Sequence, residues 1–284
     1  MLIPFLLFAA QAVPTATPAP VLPSDAVEGD WRPIPDDELL IMTLRDNRQV
    51  VIRLATRFAP AHLANIRTLA LAHWWDATSV YRVQENWVAQ WGDATEKKPL
   101  PAGIVARPAA EFEIADFTPA QALPRPDGYS LYAGVTADGW PIAGNGQQAW
   151  LTHCYGMVGV GRDTLPDTGN GAELFTPIGQ SARRLDRNYT VVGRIIEGMK
   201  YMSALPRSDA TMGFYATEGE RMPIVSVRLA SDLPTAERPH YQYRSADNPR
   251  FAALIALREK PAAPTVRTGQ TVCDVPLATR RVAR

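Results

Sequence analysis

A succession of short β-branched and aromatic runs, with one substantial helical stretch near each end of the series, constrains this fold most. Residues 39–44 and 49–54 are apolar runs separated by the polar stretch Arg45-Asp46-Asn47-Arg48, the pattern of a β-hairpin. Residues 59–72 read as a helix, because Pro60 suits a first turn and Leu63, Ile66 and Ala70 keep the spacing of one buried face. Strand patterns recur at 78–83, 87–92, 156–161, 173–178 and 190–196, and the cleanest alternation is at 222–229. The second helix is predicted over 197–205. Many short strands with few helices predict a mainly β chain: a closed antiparallel β-barrel capped by two α-helices, with a C-terminal extension.

The chain divides around that series. Residues 2–10 form an apolar run too short to span a bilayer, and Ala10-Gln11-Ala12 supplies a small-x-small cleavage pattern. Residues 1–12 are therefore expected to be a signal peptide cleaved near Ala12, which makes the protein exported and periplasmic. A retained N-terminal anchor is the alternative, because the basic n-region is missing. Residues 13–35 read as a Pro-rich linker, 36–230 as the folded domain, and 231–284 as a C-terminal extension with one helix at 248–259. Residues 94–155 are expected to be a long Pro- and Gly-rich insertion whose one ordered patch is Ala110-Glu111-Phe112-Glu113.

Charge removes some classes of partner. With 29 basic and 29 acidic side chains the formal net charge is zero, so neither nucleic acid nor an anionic membrane is expected to bind. The four histidines show no ligand spacing, and residues 163–170 lack the alternating ligands and terminal Glu of a calcium loop. Neither a metal nor any other cofactor is expected. The two cysteines, Cys154 and Cys273, allow one disulfide in an oxidising compartment. Closing so long a loop is worth ~4–5 kcal/mol in the chain-entropy model. Two free buried thiols are the other reading.

The stretch richest in chemistry is TSVYRVQENWVAQWGD, residues 78–93. It reads as two short strands about a polar Gln84-Glu85-Asn86 turn, and it places Arg82, Gln90, Trp87 and Trp91 on them. An unpaired cation inside an apolar strand pair is costly, so packing alone does not explain Arg82. An edge hairpin with Arg82 at the surface is the plain reading. Arg183 and Arg184 read as a solvated pair, Phe175 and Leu185 by periodicity alone read as plain core, and Tyr189 passes as easily for a cross-strand packing residue.

The order of these pieces resembles that of the cyclophilin-type peptidyl-prolyl cis-trans isomerases, over roughly residues 39–230. The pieces are the hairpin, the APxxxxN-bearing helix, Tyr-Arg-Val, Gln-x-Gly-Asp, the Gly-Met-Val strand and Val-Val-Gly-Arg-Ile-Ile-Glu-Gly-Met. The family's FHRVIPGFMxQGGD appears as YRVQENWVAQWGD. The resemblance implies that Arg82 is the catalytic arginine and Gln90 the substrate-holding glutamine, with Trp87 and Val88 in place of the pocket phenylalanine and methionine. Gly161 stands for the alanine and Arg162 for the asparagine that grip the substrate backbone. Phe175 falls on the proline-pocket phenylalanine, Leu185 on the pocket leucine, Arg184 on the tryptophan before it, and Tyr189 on the histidine that closes the pocket.

The family's reaction suits these residues. Rotation about a peptide C–N bond is opposed by amide resonance, a barrier of ~18–20 kcal/mol. Its catalysis requires an apolar pocket for the proline ring and a donor aimed at the twisted amide. The expected function is X-Pro isomerisation in folding exported proteins, with proline-containing polypeptides as clients and a monomeric enzyme. A catalytically weak peptide-binding or chaperone module of the cell envelope is the alternative.

Overall fold

The computed structural model describes residues 25–115, 118–260 and 270–283. The expected signal peptide 1–12 and residues 13–24 of the expected linker lie outside the described residues. In chain order the elements begin with β1 (Trp31–Pro33), β2 (Leu39–Leu44), β3 (Arg48–Leu54), α1 (Pro60–Leu71), β4 (Ser79–Val83) and β5 (Val88–Gly92). Next come β6 (Gln121–Ala122), β7 (Tyr132–Val135), β8 (Pro141–Gly144), β9 (Ala149–Leu151), β10 (Met157–Val160) and β11 (Leu174–Pro177). The rest are β12 (Val191–Glu197), α2 (Met199–Ser203), β13 (Met222–Leu229), β14 (His240–Arg244), α3 (Pro249–Glu259) and β15 (Thr279–Val282).

Eight strands close into an antiparallel barrel in the order β10-β11-β5-β4-β13-β2-β3-β12. Its first hairpin turns at Asp46 and Asn47, which take left-handed φ values of 62° and 54°. Asp and Asn tolerate that region because their short side chains can bond locally. Alternation then sends Leu40, Met42 and Leu44 of β2, with Val50, Ile52 and Leu54 of β3, into one core. Leu63, Ile66 and Leu69 of α1 and Met202 of α2 join them, so two helices pack on the barrel. The α1 N-terminus is capped from the insertion: Ala61 N and His62 N donate to the Glu111 carboxylate at 2.8 and 3.0 Å. Burial works against the Glu111 charge, but bonds from His62 and these amides hold its pKa below the ordinary value.

Three regions depart from the sequence expectation. Residues 94–155 are more than a long loop, because β6-β7-β8-β9 form a four-stranded sheet within them. Its Trp140, Ile142 and Leu151 share a second core with Phe251 and Ile255 of α3 and with Val272 and Val275 of the tail. Strands of two to four residues between turns are too short to print a period in the sequence. Trp31–Pro33, expected within the linker, is the edge strand of a second small sheet, β1-β14-β15, that draws its other strands from the C-terminal extension. The extension is also pinned covalently, since Cys154 and Cys273, 119 residues apart, form a disulfide.

Candidate active site

A β-bulge builds the corner that carries Arg82. In β4, Val80 pairs with Trp91 of β5, but Arg82 pairs with the very next residue, Gln90, so the register shifts at Tyr81. The extra residue lets Val80 and Val83 both reach the barrel core while Tyr81 and Arg82, neighbours in sequence, both face the outer groove. An unbroken strand would have buried Arg82 on the face that carries Val80. The row continues across the sheet: Gln90 pairs with Phe175 of β11, and Phe175 with Gly159 of β10.

Gly159 is required by that row. A Cβ built on it would lie 2.4 Å from the Phe175 ring, so the missing side chain is the space the ring occupies. Phe175 also stacks on His153 with ring centres 5.9 Å apart and meets Tyr189 edge-on at 5.6 Å. Gly159→Ala is therefore expected to push the ring into the groove and to destabilise the fold by about 1–3 kcal/mol, the range of an overpacked site. Urea unfolding of the variant checks this, and an unchanged midpoint would mean the ring yields without strain.

Arg82 is fixed on three sides. Its Nε donates to the Met212 carbonyl at 2.7 Å, Nη1 to Gln90 Oε1 at 2.9 Å and Nη2 to Gln84 Oε1 at 2.7 Å, and its guanidinium lies 5.3 Å from the Phe214 ring centre. The Met212 carbonyl and the Phe214 ring come from a segment that continues the sheet along β4 beyond β13. There Tyr215 N donates to Tyr81 O and Ser208 N to Val83 O. Gly213 takes φ +80° in that turn, and a Cβ on it would fall 2.6 Å from Gln84 Cα, so only glycine allows the approach. Burial lowers the Arg82 pKa from its ordinary value, while Tyr81 and Tyr189 push it back upward.

Behind Arg82 runs a chain of partly buried polar groups. Gln90 Nε2 donates to the Tyr81 hydroxyl, and that hydroxyl donates to Glu173 Oε2, both at 2.6 Å. Asp93 N donates to Glu173 Oε1 at 2.8 Å. Burial first, with Asp93 and Glu96 adding repulsion, pushes the Glu173 carboxyl up to about 7 against the two hydrogen bonds that favour its charge. Burial and the Glu173 charge raise the Tyr81 hydroxyl steeply, so it stays protonated.

A raised carboxyl pKa means the folded protein holds its proton longer than the unfolded chain. The Glu173 contribution is thus full below about 4.5, the ordinary value, and is lost as pH rises to about 7. The swing is on the order of 3 kcal/mol. Denaturation across that interval should show the wild type losing stability relative to Glu173→Gln as pH rises. A difference between the two that stays flat with pH would contradict the raised carboxyl.

Arg82, Gln90, Trp87, Val88, Gly161, Arg162, Phe175, Leu185 and Tyr189, singled out in the sequence, all line one groove of about 350 Å³. Leu185 ends the turn of 3-10 helix Ser181–Leu185. The Arg184 guanidinium stands 5.6 Å over the Trp87 ring at the mouth. Arg162 is turned onto the protein itself: Nε donates to the Asn188 carbonyl at 2.9 Å, Nη1 to the Asp163 carbonyl at 2.6 Å, and the guanidinium lies 4.5 Å over the Tyr189 ring.

Arg183 corrects the reading of Arg183-Arg184 as a solvated pair. Its side chain is 5% exposed and bridges Asp127 and Asp186 at 2.7 and 2.6 Å. Asp186 lies three residues on, but Asp127 arrives from 56 residues away, which local sequence does not reveal. Tyr81, Gln84, Glu173, Met212 and Phe214 were also missed. Tyr81 and Gln84 stand inside the quoted motif and Glu173 opens a strand pattern, whereas Met212 and Phe214 are marked only by a glycine before two aromatics in a polar stretch.

Comparison with known proteins fits this geometry. The sequence model of the family described as cyclophilin type peptidyl-prolyl cis-trans isomerase/CLD matches residues 39–229. Among solved structures, the chain is similar to the cyclophilin AquaCyp293 from Hirschia baltica, with TM-score 0.70, 24% identity, and coverage of 88% of this chain and 93% of that one. A cyclophilin type peptidyl-prolyl cis-trans isomerase of Cryptosporidium parvum, solved in the presence of the dipeptide ala-pro, aligns at TM-score 0.42 and 12% identity over 67% of this chain and 98% of that one. A search of curated proteins gave no match.

Proposed function

The chain belongs to the cyclophilin-type peptidyl-prolyl cis-trans isomerase family, and we propose that it accelerates X-Pro isomerisation in exported polypeptides with Arg82 as the transition-state donor. The observation that carries this reading is the fixed guanidinium beside the apolar side chains of Phe175, Val88 and Leu185 in one groove. Three of its five N–H groups are spent on Met212, Gln90 and Gln84, which leaves two for a substrate.

The mechanism follows from the amide. In the planar ground state the prolyl nitrogen's lone pair is delocalised into the carbonyl. Halfway through rotation that conjugation is lost, the nitrogen becomes pyramidal and its lone pair can accept a hydrogen bond. A donor positioned for the twisted geometry therefore binds the transition state better than either planar isomer. Arg serves because it stays charged and presents a rigid fork. Phe175, Val88, Leu185 and Tyr189 enclose the proline ring, Trp87 flanks it, and Gln90, itself held by Tyr81, receives the substrate backbone. Gly161 and Arg162 border the chain that leads away from the ring. No bond is made or broken, and the rate gain comes from positioning alone.

A cis-to-trans assay on an X-Pro peptide tests the activity, and a wild-type rate equal to the buffer rate would sink it. The turning of Arg162 onto Asn188 and Asp163 favours a second reading, a client-holding module with weak catalysis. That reading requires client binding to survive when the isomerase rate is lost. Work outside the cytoplasm is supported by the apolar N-terminal run and by the Cys154–Cys273 disulfide, which an oxidising compartment preserves. A native N-terminus at Met1 on protein taken from the cell would argue against that placement.

A further inference from the structure

Two arginines face each other across neighbouring strands, and only one of them is neutralised. Arg194 of β12 pairs with Arg53 of β3. Like charges in this position repel. Arg53 is compensated in full: its guanidinium lies between the Trp140 and Tyr243 rings at 4.8 and 4.3 Å, and it reaches the carboxylates of Glu38 and Asp138 at 3.4 and 3.5 Å. The Arg194 side chain has no hydrogen bond, ion pair or ring partner among the described residues. Burial, with the Arg53 charge adding to it, pulls its pKa down to about 10. An unpaired cation held among protein atoms is disfavoured relative to water.

Arg194 lines a cavity of about 240 Å³ between the barrel and the C-terminal extension. On the barrel side the wall is Met157 and Ile196, and on the other it is Val275 and Leu277, held in place beside the Cys154–Cys273 disulfide. Tyr155, half exposed, stands at the rim. Among the described residues no carboxylate lines the space, and none of its lining residues belongs to the Arg82 groove.

We propose that this cavity binds a short apolar monocarboxylate, its carboxylate on the Arg194 guanidinium and its body against Met157, Ile196, Val275 and Leu277. A guanidinium presents parallel N–H groups that match the two oxygens of a carboxylate. One cation neutralises one negative charge, so a dianion would carry an uncompensated charge into an apolar space. The apolar walls contribute in proportion to the ligand surface they take from water. Charge and walls together select an anion with an apolar tail over either part alone.

The test is calorimetric titration of the oxidised full-length protein with octanoate, 1-octanol and inorganic phosphate, repeated on Arg194→Met. Octanoate should bind saturably, and at least tenfold more weakly to Arg194→Met. Octanol lacks the charge and phosphate lacks the tail, so each should bind at least tenfold more weakly than octanoate. Arg194→Met should fold, because it puts an apolar chain where an unpaired cation stood. Circular dichroism verifies that. If the variant does not fold, Arg194→Lys, which loses the fork, and Leu277→Asp, which repels the carboxylate, serve in its place, each expected to weaken octanoate tenfold. Undiminished octanoate binding to the folded variants overturns the proposal. So does a wild type that ignores octanoate, or one that prefers phosphate.

Discussion

Arg82→Ala should lower kcat/KM for an X-Pro peptide by about two to three orders of magnitude, the loss seen when one preorganised transition-state donor is removed. The lowered term should be kcat, because the part of the groove proposed to hold the proline ring is lined by Phe175, Val88, Leu185 and Tyr189 and does not depend on the guanidinium. Truncation leaves Gln84, Gln90 and the Met212 carbonyl without a shared donor, but all three sit at the edge of the groove, where water can reach them. The fold should therefore survive. Arg82→Lys makes the sharper comparison. Lys keeps the charge but cannot serve three acceptors in a plane and still present two N–H groups. It should lie much closer to Ala than to wild type. Line-shape or exchange NMR on one peptide reads both kcat and affinity. A variant that keeps its rate, or loses peptide affinity in proportion to rate, would remove Arg82 from the role of transition-state donor.

The barrel was legible in the sequence because six of its eight strands run five to eight residues, long enough to alternate. Met222–Leu229 sends Ile224, Val227 and Leu229 to the main core, and the register break near Ser226 lies inside an otherwise periodic run. The insertion's sheet was hidden because four strands of two to four residues, set among Pro and Gly, have no period to read. The groove residues could be named from the order of motifs, and the fold brings all nine to one place. What holds them could not be named. The Tyr81 bulge is invisible to a pattern that assumes strict alternation, and the Gln90–Tyr81–Glu173 chain joins residues about 90 apart in sequence. Arg183 shows the same limit. Beside Arg184, with no acidic neighbour before Asp186, it reads as solvated. The partner that buries it, Asp127, lies 56 residues away in the insertion.

Asp186→Ala should cost about 3–5 kcal/mol, because it breaks one side of a buried ion-pair cluster. The Asp186 carboxylate receives four groups: Arg183 Nε at 2.6 Å, His153 N at 2.8 Å, His153 Nδ1 at 3.2 Å and Trp150 Nε1 at 3.4 Å. The side chains of Asp127, Arg183 and Asp186 are 5–6% exposed, too dry for water to replace the lost partner. Burial works against the Arg183 charge, and the two carboxylates outweigh it and hold its pKa above the ordinary value. His153, Trp150 and Asp127 belong to the insertion, whereas Arg183 and Asp186 flank Leu185 of the groove. The insertion thus backs the groove, since His153 stacks behind Phe175. Loss of Asp186 should release both His153 and the turn that carries Leu185, and raise KM for the proline peptide along with the fall in stability. Arg183→Met, combined with Asp186→Ala in a double-mutant cycle, separates the ion pair from the packing. A coupling of about 1–3 kcal/mol is expected for groups in one network. Additive single and double losses would mean that Arg183 and Asp186 act independently and that the insertion supports the pocket by shape alone.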